Sequence, residues 1–203
     1  MIKHIWFDFS GTLTVLDPVS HDKLRYGAYA EIVKKPISQE LMKEYEKVLA
    51  KQGSNSAVFR SLGLPADFWG RKVEYSYFEG IYRLIDKSVL KVLPKLKLLV
   101  PISLFTNIKA KKVLEVLGIE GKWFTYILEA GDYKEPKPAL DGFKKMVELS
   151  TLPASEILYV GDSVVKDIRP AKSLGITTCM LWGQSPEADW SCEKFEDLLE
   201  IIK

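Results

Sequence analysis

The sequence predicts an α/β protein built on a doubly wound parallel sheet, with an α-helical segment inserted near its start. Three observations carry that prediction. Short, continuous apolar runs rich in β-branched and aromatic residues occur at Ile2–Phe7, Ile102–Phe105, Ile157–Val160 and Ile176–Leu181. Segments of helical periodicity lie between the later runs. From Val19 to Lys87, apolar residues recur at helical spacing instead.

Each run ends at, or just before, a polar or glycine-containing turn, and Tyr126–Leu128 is a weaker fifth candidate. Apolar runs of this length suit strands buried on both faces, as in a parallel sheet. The helical patterns are Ile108–Leu117, Ala139–Leu149 and the shorter Ile168–Leu174. Strands alternating with helices indicate a doubly wound topology.

In the inserted segment the periodic residues are Leu24, Tyr26, Tyr29, Ile32 and Val33, then Leu41, Tyr45 and Val48, then Phe68, Val73, Tyr77, Ile81 and Leu84. Breaks fall at Lys35-Pro36, Gly53-Ser54-Asn55 and Gly63-Leu64-Pro65, which divides the segment into four helices. The aromatic stretch Tyr75 to Phe78 reads as core of this segment. The expected organisation is an α/β core of residues 1–15 and 88–203 with a helical cap of 16–87. In open α/β sheets, ligands bind beyond the carboxyl ends of the strands, where such an insertion acts as a lid.

Composition narrows the function classes. The 203 residues are 47% hydrophobic and 28% charged, with a net charge of +2, and the basic residues are spread rather than blocked. That pattern gives no support for a nucleic-acid or membrane partner. No segment approaches the ~20 apolar residues of a membrane span, and the N-terminus has no signal-peptide run, so a cytoplasmic protein is expected. Cys179 lies in an apolar stretch and Cys192 reads as surface-exposed; two cysteines and two histidines make no zinc pattern. The sequence leaves the oligomeric state open.

The strand ends deliver the candidate chemistry. The first gives Asp8, followed by Phe9-Ser10-Gly11-Thr12-Leu13-Thr14; the second gives Thr106-Asn107; Lys137 follows the weak strand; the next gives Gly161-Asp162-Ser163, with Asp167 one turn on. A doubly wound sheet gathers these at one edge. Carboxylates with carbonyl oxygens suit a hard dication such as Mg²⁺ and phosphate-bearing substrates. A carboxylate also serves as a covalent nucleophile. Lys137 is placed to neutralise charge on a transferred group, although it shares a Lys-rich segment with Lys134. Gly11 and Asn107 are further substrate-binding candidates. Arg25, Arg60 and Lys34 are cap residues able to reach a substrate or to sit on a solvated face, while Asp132 and Glu135 read as surface charges.

Taken together, these residues resemble the haloacid dehalogenase superfamily. Asp8-Phe-Ser-Gly-Thr-Leu-Thr is similar to its first motif, Phe105-Thr106-Asn107 to its second, Lys137-Pro138 with Phe143 to its Lys-Pro motif, and Gly161-Asp162-Ser163-Val-Val-Lys-Asp167 to its fourth. Four motifs in order cover almost the whole chain. The resemblance implies that Asp8 is the nucleophile, that Thr106 hydrogen-bonds the transferred group and that Lys137 holds it. It further implies Mg²⁺ bound by Asp8, Asp162 and the Ser10 carbonyl, with Asp167 completing or orienting the shell.

Position 10 departs from the pattern of most phosphatases in that family, where a second Asp protonates the leaving group and then activates water. Ser10 has no suitable pKa for that work, which contributes roughly 10²–10⁴ in rate. Three readings follow: a Mg²⁺-dependent phosphatase on a small phosphate ester; a metal-independent 2-haloacid dehalogenase, whose halide leaves unprotonated; or a non-catalytic phosphate-ligand binder. Retention of Asp162 and of the other motif residues favours the first.

Overall fold

The computed structural model describes residues 1–65, 67–75 and 80–202. Six parallel strands form one sheet: β1 (His4–Phe7), β4 (Ile102–Phe105), β5 (Ile127–Leu128), β6 (Ile157–Gly161), β7 (Thr177–Leu181) and β8 (Trp190–Cys192), in the order β5-β4-β1-β6-β7-β8. β1 lies between β4 and β6, with Phe7 opposite Leu104 on one side and Val160 on the other. All three central strands are buried along their length, as their unbroken apolar runs predict.

Alternate residues of these strands feed two cores. Trp6, Phe105 and Tyr159 pack with Phe143 and Met146 of α7 (Leu140–Ser150) and Ala171 of α8 (Arg169–Ser173). Phe7, of opposite parity, meets Phe195, whose ring centre is 5.9 Å away. That segment packs with α5 (Val89–Leu99) and α9 (Leu198–Ile202). Each fully buried large side chain contributes roughly 1.5–3 kcal/mol.

Edge strand β8 has no apolar run to betray it, since Trp190 and Ser191 are exposed. Its last residue corrects an expectation: Cys192 is buried, with its Sγ 3.6 Å from that of Cys179, because it turns inward beside β7. Both thiols are free.

The chain divides into two compact units, residues 1–15 with 83–203, and residues 16–82. The second unit contains α1 (Pro18–Val33), α2 (Gln39–Gln52), α3 (Asn55–Ser61) and α4 (Phe68–Tyr75). Its helix ends coincide with the breaks in the sequence. Asp17 accepts from the Ser20 N–H at 3.0 Å ahead of Pro18, Ser38 caps Leu41 N–H at 3.2 Å, and Ser54 caps Ala57 N–H at 3.2 Å. Tyr45 centres the packing, with the rings of Tyr26 and Tyr29 edge-on at 5.5 and 5.1 Å. The boundaries of the unit fall inside two short strands, β2 (Thr14–Leu16) and β3 (Tyr82–Leu84), which pair with each other. Of the aromatic stretch expected in its core, residues 76–78 lie outside the described residues.

No helix among the described residues is long and apolar enough to cross a membrane.

Candidate active site

Asp8 leaves the end of β1 by one residue and continues the ladder, its N–H donating to Val160 carbonyl oxygen at 2.8 Å. It therefore projects at the carboxyl edge of the sheet, where open α/β folds carry their ligands. The loop beyond it is held by its own backbone: the N–H groups of Leu13 and Thr14 donate to Phe9 oxygen at 2.9 and 3.0 Å. From outside, the indole Nε1–H of Trp182 donates to Thr12 oxygen at 2.9 Å. Thr12 Oγ1 lies 3.1 Å from Asp8 Oδ2 and 3.3 Å from Asp162 Oδ1, so one hydroxyl ties the first and fourth motifs together.

Lys137 is the buried partner. Its Nζ donates to Asp8 Oδ1 at 2.5 Å, to Asp167 Oδ1 at 2.7 Å and to Tyr159 Oη at 2.7 Å. Only 6% of Lys137 is exposed, which decides between it and the exposed Lys134. Beneath the ammonium lie the rings of Phe105 and Tyr159, with centres 5.1 and 5.4 Å from Nζ. Burial works against the charge on Lys137, but the carboxylates of Asp8 and Asp167 outweigh it and hold its pKa above the usual lysine value. The Tyr159 hydroxyl is pushed well above the usual range by burial and then by Asp167. It stays protonated.

Asp167 sits in a π-helical turn, Val164–Ile168, and its Oδ2 accepts from Ser163 N–H at 3.1 Å. Such turns widen a helix locally and recur at functional sites. Burial raises the pKa of Asp167 and of Asp162, and in Asp162 the neighbouring charge of Asp167 adds to it. Two glycines make the close approach possible. A Cβ on Gly11, which has φ +99°, would collide with the Asp162 carboxylate, and one on Gly161 would collide with Asp167.

The cleft in front of these groups has a volume of about 330 Å³ and is lined by Asp8, Ser10, Thr106, Asn107, Lys137 and Asp162, together with Ser163, Lys166 and Asp167. That size suits a small ligand. Thr106 Oγ1 accepts from Ile108 N–H at 3.3 Å and keeps its own proton uncommitted among the described residues, so it can donate to a bound group. Asp8, Asp162 and Asp167 each offer a carboxylate oxygen, all within 4.8 Å of one another. Three carboxylates against one buried ammonium leave an excess of negative charge that a hard dication fits.

The sequence-predicted residues are thus gathered here, with two differences of detail. Gly11 does not line the cleft, and its N–H is spent on Thr14 oxygen at 2.7 Å because the loop closes on itself. The Asn107 amide is largely occupied by the backbone of Lys137. Tyr159 and Tyr133 are not legible in the sequence. Tyr159 stands inside an apolar run, two residues before Gly161 on the Trp6 face, and looks like core. Tyr133 sits between Asp132 and Lys134 in a polar loop, and its partners, Thr106 and Asn107, lie far off in the chain. Among the cap candidates, Arg25 is committed to Asp22 and Glu46 at 2.7 and 2.9 Å. A separate hollow of about 510 Å³ in the helical unit, lined by Ser20, Lys23, Gly27, Glu31 and Lys72 among others, contains none of the carboxylate cluster.

Residues 2–175 match the family model described as haloacid dehalogenase-like hydrolase. The chain belongs to that family. The family is one of hydrolases. A glyceraldehyde 3-phosphate phosphatase of Methanocaldococcus jannaschii is 35% identical over 104 residues, 48% of this chain and 45% of the relative. The chain spans less than half the length of the curated relatives it matches. Among solved structures, one from Haemophilus somnus, described as a predicted phosphoglycolate phosphatase, is 25% identical with a TM-score of 0.74 over 100% of this chain and 98% of its own. The HAD-hydrolase YfnB of Bacillus subtilis, bound to magnesium, shares the fold at 20% identity with a TM-score of 0.71, over 100% of this chain and 99% of its own.

Proposed function

We propose that this hydrolase is a cytoplasmic, Mg²⁺-dependent phosphatase that transfers the phosphoryl group of a small phosphate ester to Asp8. The observation that carries the reading is the buried Lys137–Asp8 pair beside two further carboxylates, Asp162 and Asp167. The phosphatase relative and the magnesium-bound neighbour support it. A metal-free dehalogenase site with this excess of negative charge would repel a carboxylate substrate.

Asp8, Asp162 and Asp167 would hold the metal, with the Ser10 carbonyl as a further ligand. When bound, Mg²⁺ supplies positive charge to the phosphoryl oxygens and to the nucleophile. The remaining work falls to side chains of this chain. An Asp8 oxygen attacks phosphorus, and the bond from phosphorus to the leaving oxygen breaks with its electron pair going to that oxygen. Lys137 and the Thr106 hydroxyl stabilise the transferred oxygens. Water then attacks the aspartyl-phosphate, releasing inorganic phosphate and regenerating Asp8.

The reading predicts Mg²⁺-dependent phosphate release from p-nitrophenyl phosphate, lost on adding EDTA; turnover that survives EDTA, or that needs a halogenated acid, would overturn it. With Ser10 in place of a carboxyl, the leaving oxygen departs without a protein acid, and the acyl-phosphate waits for unassisted water. Ser10→Asp is therefore expected to raise steady-state turnover of an alkyl phosphate, by up to the roughly 10²–10⁴-fold that general acid–base help supplies. The gain should be smaller for an aryl phosphate, whose phenolate leaves readily. Equal or lower turnover in the variant would show that another group already does this work.

A further inference from the structure

Lys137 arrives on a loop between β5 and α7, yet its ammonium must stand beside a side chain at the end of β1. Something has to fix that loop. The side-chain amide of Asn107, one residue beyond Thr106, meets both polar groups of Lys137's backbone: Oδ1 accepts from Lys137 N–H at 2.8 Å, and Nδ2 donates to Lys137 oxygen at 3.1 Å. Two such bonds from one planar amide fix both the position and the orientation of the residue they hold. Tyr133 adds a third member. Its hydroxyl donates to Thr106 oxygen at 2.6 Å, with Asn107 Oδ1 at 3.0 Å as the second acceptor of the same proton. Reversing the Asn107 amide would set an NH₂ against two donors and an oxygen against a carbonyl, so one orientation alone satisfies the group. The Tyr133 ring is anchored edge-on to Phe105 at 5.2 Å, and its hydroxyl pKa lies far above the usual value, chiefly through burial.

We propose that Asn107 and Tyr133 are positioning residues that join the strand end bearing Thr106 to the loop bearing Lys137, and that Asn107 acts on the reaction through Lys137 rather than by binding substrate. The proposal rests on the reading that Lys137 serves phosphoryl transfer at Asp8. With Oδ1 accepting two bonds and Nδ2 already donating one, Asn107 has a single N–H left for any substrate. Removing the clamp frees the loop to shift, and a misplacement of about 1 Å costs on the order of 10²-fold in rate.

The test is a double-mutant cycle on kcat for p-nitrophenyl phosphate with saturating Mg²⁺. Asn107→Ala and the isosteric Asn107→Asp, which sets an oxygen against the Lys137 carbonyl, are each expected to lower kcat about 10²-fold with little change in KM. Tyr133→Phe should lower it less, about tenfold, the equivalent of one hydrogen bond. In a Lys137→Ala background the same changes should cost nothing further; an undiminished loss there, or a rise in KM with kcat kept, overturns the proposal. Because Lys137→Ala removes a buried cation and its fold is at risk, hydrogen exchange on the otherwise intact protein gives an independent arm. In Asn107→Ala the Lys137 amide should exchange at least tenfold faster while the Phe105 and Val160 amides keep their rates, and an unchanged Lys137 amide contradicts the clamp. Absence of turnover in the unsubstituted protein would sink the phosphatase reading, while the exchange arm would still decide the clamp.

Discussion

Asp8→Asn is expected to abolish phosphate release, with a loss of at least about 10⁴-fold, the scale seen when a member of a covalent catalytic unit is removed. The amide oxygen can still accept from Lys137, so packing at the end of β1 survives, but an amide is no nucleophile toward phosphorus. Lys137 keeps Asp167 at 2.7 Å as its buried counter-charge. Loss of activity should therefore come without loss of fold. Phosphate release read beside thermal unfolding checks both halves, and an active Asp8→Asn protein would remove the nucleophile from the account.

Lys137→Ala carries the second large effect, on stability as well as rate. The ammonium is the sole cation among the described residues within hydrogen-bonding distance of Asp8 and Asp167. Removing one partner of a buried ion pair typically costs about 3–5 kcal/mol, because the charges left behind are neither hydrated nor paired. Since the pKa of Lys137 is raised in the folded protein, its contribution is fully present below the ordinary lysine value of about 10.4 and fades only as pH climbs through the higher folded value. The stability gap between the two proteins should accordingly stay open across neutral pH in urea unfolding. At temperatures where the variant is folded, kcat should fall about 10²–10³-fold, as when a charge-stabilising donor is deleted. Equal stability at pH 7 would contradict the buried-cation picture.

Much of this site can be read from the sequence because its residues follow apolar runs. Asp8, Thr106 and Asp162 each stand at or just past the end of a buried strand, and such runs are visible without an alignment. What stays hidden is whatever depends on a residue from a different part of the chain. Tyr159 looks like one more apolar position in Ile157–Gly161 until the loop carrying Lys137 is laid over it. Asn107 looks like a ligand group because nothing local reveals that residue 137 uses both ends of its amide. β8 and Cys192 are missed for the opposite reason: a short edge strand with exposed residues has no periodic signal, and the inward turn of Cys192 is set by β7. The helices of the second unit are legible through their caps, Asp17, Ser38 and Ser54, which are local chemistry.

The central claim is that Asp8 takes the phosphoryl group, and its most direct test is to catch it there. With Ser10 in place of an acid/base carboxyl, the aspartyl-phosphate should accumulate during turnover of p-nitrophenyl phosphate with Mg²⁺. Rapid acid quenching, proteolysis and mass spectrometry should then find one phosphoryl group on the peptide containing Asp8, labile to hydroxylamine and missing in Asp8→Asn. A phosphoryl group on another residue, or phosphate release by Asp8→Asn at the unsubstituted rate with no labelled peptide, would contradict it.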